Sequence, residues 1–234
     1  MSALGIEEPL REIAERRYHH RHRFNIRMHE GVLTREELRG WILNRFCYQR
    51  HIPIKDALIL AKLESPKHRR MWVRRLHDHD GTDEDEGGIE RWLRLGEAAG
   101  LDRAELWSGT GVLPGVRLAV EGYVNFCRLR GPLEAVASSL TEVVAPDLMA
   151  TRIAAFEKHY TWIDSEGLRY FQRRVDQGRR DGREALELVE QWVRTPEDRS
   201  RVLAAFEFKC DVLWALLDAV EHAYRPESRQ ADVG

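Results

Sequence analysis

The run HDHDG, residues 77–81, packs two histidines and two aspartates into consecutive positions. Metal chelation is the first chemistry such a cluster suggests, and its spacing argues against it. On a helix running from Pro66 through Asp80, His77 and His79 would point roughly 200° apart, so they cannot chelate one ion from one face. Helical chelation uses three- or four-residue spacing, and an HxH pair would need an extended loop. A calcium loop fails too: it needs alternating oxygen ligands and glycine in sixth place, whereas Gly81 falls fourth from Asp78. What remains is His79 as the face-mate of Arg75, since residues four apart share a helix face. A histidine among buried cations has a depressed pKa and can act as a general acid or base. A hydrogen-bonded structural histidine is the alternative. His77 is expected to face solvent, Asp80 to end the helix, and GTDEDEGG to form a solvated loop before a helix near Gly88.

A second pattern is polarity in slots that should be apolar. Leu38, Ile42, Arg45 and Gln49 recur at helical spacing, and Lys209 interrupts the stripe Val202, Ala205, Val212, Leu216, Ala219. Tyr170 and Arg174 form an i,i+4 pair beside Leu168, Phe171 and Val175. Taken singly, such cations snorkel to the surface or pair with buried acids. Taken together they imply an interior pocket for an anion, a polycarboxylate or a phosphate, because few acids occupy matching slots; Glu142 and Asp211 are the main candidates. In the basic run RRYHHRHRF, residues 16–24, Tyr18 and His19 are the candidates to face that pocket.

The elements that must position these residues read as helices almost throughout. Pro53, Pro66, Pro114, Pro132, Pro146 and Pro196 can each occupy a first helical turn, where the missing N–H costs nothing. Ser65 and Thr195 precede two of them as N-caps, Thr34 with Glu37 reads as a capping box, Asp102 opens a further helix, and Gly100 suits a C-cap. No alternating strand pattern, repeat or linker is visible. The expectation is all-α: one compact helical domain over residues 1–224, with seven to nine helices and a frayed polar tail over 225–234.

Composition narrows the function classes. The 234 residues are 43% hydrophobic and 32% charged, with a net charge of −2 and an isoelectric point near 6.6. That balance disfavours a nucleic-acid binder. No apolar run is long enough to span a membrane, and the N-terminus lacks the apolar core of a signal peptide. Cys47, Cys127 and Cys210 are scattered and odd in number, which fits a reducing cytoplasm better than disulfides or a zinc site.

Longer segments carry a resemblance. YHHRHRF at 18–24, NRFCYQRHIPIKDA at 44–57, RRMWVRRLHDHDG at 69–81, GGIERWLRLGEAAGL at 87–101, LPGVRLAVEGYVNF at 113–126, SSLTEVVAP at 138–146 and FKCDVLWALLDA at 208–219 resemble the pyrroloquinoline-quinone (PQQ) synthase family, within the haem-oxygenase-like, TenA-like superfamily. The likeness runs from about Tyr18 to Tyr224. It implies a haem-oxygenase-like helical bundle, a homodimer, and an oxidase that completes PQQ biosynthesis. Such an enzyme closes a ring in a ring-open quinone precursor and oxidises it with molecular oxygen. It releases hydrogen peroxide and uses no metal or redox cofactor. The precursor carries several carboxylates, in keeping with a cationic pocket.

Position by position, the resemblance places Tyr18, His19, Arg45, Gln49, Lys55, Arg75, His79, Tyr123, Arg152, Tyr170, Arg174 and Lys209 in the site. His79, Tyr170 and Arg174 would surround the oxygen end, with His19 among the catalytic groups. Arg45, Lys55, Arg75, Arg152 and Lys209 would hold carboxylates and quinone oxygens. The chain departs from the pattern at Met149, where some members place a histidine, at Arg23 for a proline, at Cys47 for an aromatic, and at Val143 and Val144.

Three competing readings have their own signatures. A non-catalytic binder of PQQ or its precursor would be favoured by Met149. A di-iron oxidase of the same fold would need converging carboxylates and histidines, of which only Asp218 and His222 show suitable spacing. A thiaminase-like hydrolase would need an activated cysteine.

Overall fold

The computed structural model describes residues 5–225. Eleven α-helices and three 3-10 turns make up the fold, and no strand occurs among the described residues. The helices are α1 (Glu7–Arg17), α2 (Arg23–His29), α3 (Arg35–Leu60), α4 (Pro66–Asp80), α5 (Gly87–Ala98), α6 (Arg103–Ser108), α7 (Pro114–Leu129), α8 (Pro132–Ala137), α9 (Ala145–His159), α10 (Arg169–Trp192) and α11 (Pro196–Tyr224). The count exceeds the expected seven to nine because α6 and α8 are helices of only six residues. The tail over 226–234 lies outside the described residues. No described helix is long and apolar enough to cross a membrane.

The local signals hold where they are local. Thr34 and Glu37 form the reciprocal capping box of α3, and Thr195 and Asp198 form that of α11. The Asp102 carboxylate accepts from the backbone N–H groups of Ala104 and Glu105. Ser65 stands at the N-cap of α4, but its hydroxyl makes no capping bond. Gly100 takes a positive φ one residue beyond the cap of α5.

Pro53 corrects the sequence reading. It lies inside α3, which continues for seven residues past it to Leu60. A proline within a helix costs roughly 3 kcal/mol. Burial of Ile52, Lys55, Asp56 and Ile59 around it offsets that cost and keeps the helix going, and so keeps Lys55 on the same face as Arg45.

α3 packs against α4, α5, α7 and α11, while α10 packs against α9 and the 3-10 turn Leu140–Val143. Trp41, Trp92, Phe156 and Phe171 form an aromatic core, with Trp41 and Trp92 centred 5.5 Å apart. The buried indole N–H groups are satisfied: Trp92 donates to the Ile42 carbonyl at 3.0 Å, and Trp72 donates to Asp56 at 3.0 Å. Gly182 allows α10 to run against the 140–143 turn, since a Cβ there would come within 2.9 Å of the Glu142 backbone. That approach carries Glu142 to its partners in the site.

Candidate active site

The site is an interior cavity of about 70 Å³. One face of α3 supplies Arg45, Tyr48, Gln49, Ile52 and Lys55, spaced at three and four residues. α4 brings Arg75 and His79, α7 Tyr123, α9 Met149 and Arg152, α10 Tyr170 and Arg174, and α11 Lys209. Tyr18 and His19 enter from the turn after α1.

Eight of the twelve expected residues line the cavity: Tyr18, His19, Arg45, Lys55, Tyr123, Tyr170, Arg174 and Lys209. The other four, Gln49, Arg75, His79 and Arg152, are buried against it without lining it. Gln49 accepts a hydrogen bond from the Tyr170 hydroxyl at 2.9 Å. Met149 lines the cavity, its sulfur 4.0 Å from Arg152 Nη1.

The cations fall into two sets. In the first, Lys55 pairs with Asp56 at 2.7 Å, Arg75 pairs with Glu142, and Arg174 lies 3.4 Å from both Glu142 and Asp181. In the second, Arg45, Arg152 and Lys209 form no salt bridge with any described carboxylate. They lie over aromatic faces instead: Arg45 over Tyr48 at 4.1 Å, Arg152 over Trp41 at 5.0 Å, and Lys209 over Tyr123 at 3.5 Å. Lys209 also donates to the Tyr48 hydroxyl.

Asp211 needs correcting as a partner for buried cations. It is exposed and pairs with Arg17 at 2.6 Å. The sequence reading missed Asp56 and Asp181, both only 1% exposed. A signal existed for each: Asp56 directly follows Lys55, and Asp181 lies two helical turns beyond Arg174 on the same face. Asn25, wholly buried, was also missed.

Burial sets the protonation states. His79 is held well below the usual imidazole range by burial, then by Arg174 and Lys55. Its Nδ1 is buried with no partner among the described residues. His19 is likewise lowered by burial, Arg45, Arg152 and Lys209. Lys209 is pushed well below the ordinary lysine range by burial and by Lys55 and Arg45. Burial and Arg45 bring Arg152 down to about 9, which leaves it charged at neutrality. Burial raises the Tyr123 and Tyr170 hydroxyls. Asp181 behaves oppositely: burial would raise it, but Arg75, Arg174 and Arg180 together hold it low.

Other chemistries find less support in the geometry. Asp218 binds His22 at 3.0 Å, and no group of three or more His, Cys, Asp or Glu able to hold a metal ion occurs among the described residues. His77 faces solvent, as its helix position requires. All three cysteines are buried, and burial raises each thiol, Cys210 to about 12, the reverse of an activated nucleophile.

The chain matches proteins of known name along most of its length. It is 51% identical to a pyrroloquinoline-quinone synthase of Cronobacter sakazakii over 207 residues, covering 88% of this chain and 82% of that one. It is 50% identical to the protein of the same name in Cereibacter sphaeroides over 223 residues, covering 95% and 88%. Among solved structures, a domain with a haem-oxygenase-like fold from Shewanella denitrificans superposes with a TM-score of 0.74 at 16% identity, covering 94% of this chain and 90% of that one. A TenA homologue from Pseudomonas syringae gives a TM-score of 0.73 at 13% identity, covering 91% of each. These likenesses establish the haem-oxygenase-like fold. The TENA/THI-4/PQQC family model matches residues 7–219, and the chain belongs to that family.

Proposed function

We propose that this chain is a pyrroloquinoline-quinone synthase: an enzyme of PQQ biosynthesis that closes a ring in a polycarboxylate quinone precursor and oxidises it with molecular oxygen. The observation that carries this reading is the set of cations without carboxylate partners at one cavity: Arg152 and Lys209, both buried, and the half-buried Arg45. An anion bound there would supply the missing charge. Relatives half identical to this chain and named PQQ synthase support a precursor of PQQ as that anion.

The proposed chemistry is proton removal coupled to electron transfer. A base takes a proton from the bound precursor, and the electron-rich ring passes two electrons to oxygen. With two protons these form hydrogen peroxide in each oxidation step. Fixed positive charge stabilises the developing enolate and peroxide. His79, held neutral by burial behind Tyr170 and Arg174, is the proposed proton acceptor once the precursor is bound. Tyr170 and Arg174 would face the oxygen end. The precursor would supply the electrons, so the proposed reaction needs no metal or redox cofactor.

A second reading, a binder that holds the ligand without turning it over, is favoured by Met149. A thioether neither shuttles a proton nor donates a hydrogen bond. The deciding experiment mixes purified, chelator-treated protein with the ring-open precursor in air and follows absorbance. Growth of the quinone band with peroxide release supports the oxidase. A shifted band that never becomes the quinone supports the binder. No change sinks both.

A further inference from the structure

Asn25 lies in α2, is wholly buried, and contacts two residues of the site at once. Arg152 Nη2 is 3.0 Å from Asn25 Oδ1, and a guanidinium can only donate. The His19 backbone carbonyl is 2.7 Å from Asn25 Nδ2, and a carbonyl can only accept. These two partners settle which end of the amide is oxygen. The third contact then has one solution. His19 Nδ1 is 3.2 Å from that same Nδ2, an NH₂ group that can only donate, so Nδ1 must be the bare nitrogen. The ring proton is left on Nε2.

We propose that Asn25 is a positioning residue that fixes His19 as a neutral Nε2–H donor toward an anionic oxygen of the ligand, and steadies Arg152 beside it. The proposal rests on the anionic-ligand reading above. The surroundings act in the same direction. Arg45 from α3, Arg152 from α9, Lys209 from α11 and His22 from the same turn all disfavour a second proton on the ring. His22 is itself pinned: its Nδ1 accepts from the Phe24 backbone N–H at 3.0 Å, which leaves Nε2 to donate to Asp218 at 3.0 Å. His19 therefore offers a carboxylate or quinone oxygen a hydrogen bond. It does not serve as the base, and proton acceptance falls to another group.

An aspartate at this position would keep the Arg152 contact. It would also set a carboxylate oxygen against the His19 carbonyl and Nδ1, a clash relieved by protonating Nδ1. The test reads imidazole nitrogens in long-range proton–nitrogen spectra of the histidine-labelled full chain without ligand. His19 is assigned by its loss in His19→Gln. At neutral pH the expected result is a bare Nδ1 and a protonated Nε2, with Nδ1 becoming protonated in Asn25→Asp. A wild-type ring with its proton on Nδ1, or on both nitrogens, overturns the proposal. If Asn25→Asp does not fold, the wild-type spectrum alone decides. Citrate serves as the anionic probe for the second half: Asn25→Ala should weaken its binding about tenfold, and unchanged affinity removes the link to the ligand. The spectrum needs no turnover. A correct tautomer without precursor oxidation therefore counts against the oxidase reading, and the converse counts against this one.

Discussion

Where α4 and α10 meet the 140–143 turn, every buried cation has a carboxylate: Arg75 and Arg174 share Glu142, and Arg174 also reaches Asp181. Where α3, α9 and α11 converge, Arg45, Arg152 and Lys209 lie over aromatic rings. A cation–π contact is worth about 0.5–2 kcal/mol, while burying an uncompensated charge costs several. The rings therefore do not balance the second region. The first region resembles a structural clamp, in which charge is cancelled and geometry fixed. The second keeps positive charge uncancelled and aimed at a cavity, an arrangement whose stability cost is recovered on binding an anion.

The sharpest way to break this contrast is to remove a carboxylate from the clamp. Asp181→Ala should destabilise the protein by about 3–5 kcal/mol, because it strips a partner from buried guanidinium groups. Denaturant unfolding checks this, and a loss below about 1 kcal/mol would mean the clamp is not structural. Acid provides a second probe. His19 and His79 are lowered in the folded chain, so below about pH 6.5 the unfolded chain binds protons that the native chain does not. Stability should therefore fall as pH falls below that point, by up to about 1.4 kcal/mol per pH unit for each histidine. A flat profile between pH 6.5 and 5 would show that neither ring is held neutral. The smallest effect has the opposite sign. Lys209→Met should stabilise the ligand-free protein by about 1 kcal/mol, since it removes a buried amine that burial, Lys55 and Arg45 already disfavour in its charged form. The same variant should bind citrate about tenfold more weakly by calorimetry. A destabilised variant with unchanged citrate affinity would place Lys209 in the clamp instead.

Much of this was legible in the chain. The capping boxes at Thr34 and Thr195 are written in residues three apart, and helix N-termini obey such local rules. The i,i+4 pairs Arg75 with His79 and Tyr170 with Arg174 need only helical periodicity to share a face. Other features were not legible. α3 runs through Pro53 because of what buries its two sides, a tertiary effect that overrides local propensity. Arg75 meets Glu142 across 67 residues, and Arg152 meets Asn25 across 127; no spacing rule reports such pairs. Asp211 looked like a partner by its slot and turned out to face Arg17 at the surface.

The sequence by itself determined an all-helical chain, the slots where cations interrupt apolar faces, and the resemblance that names the family. Only the tertiary structure decided which of those cations are cancelled and which remain free for a ligand. Periodicity fixes the direction a side chain leaves its own helix, whereas charge pairing depends on distances between helices far apart in the chain.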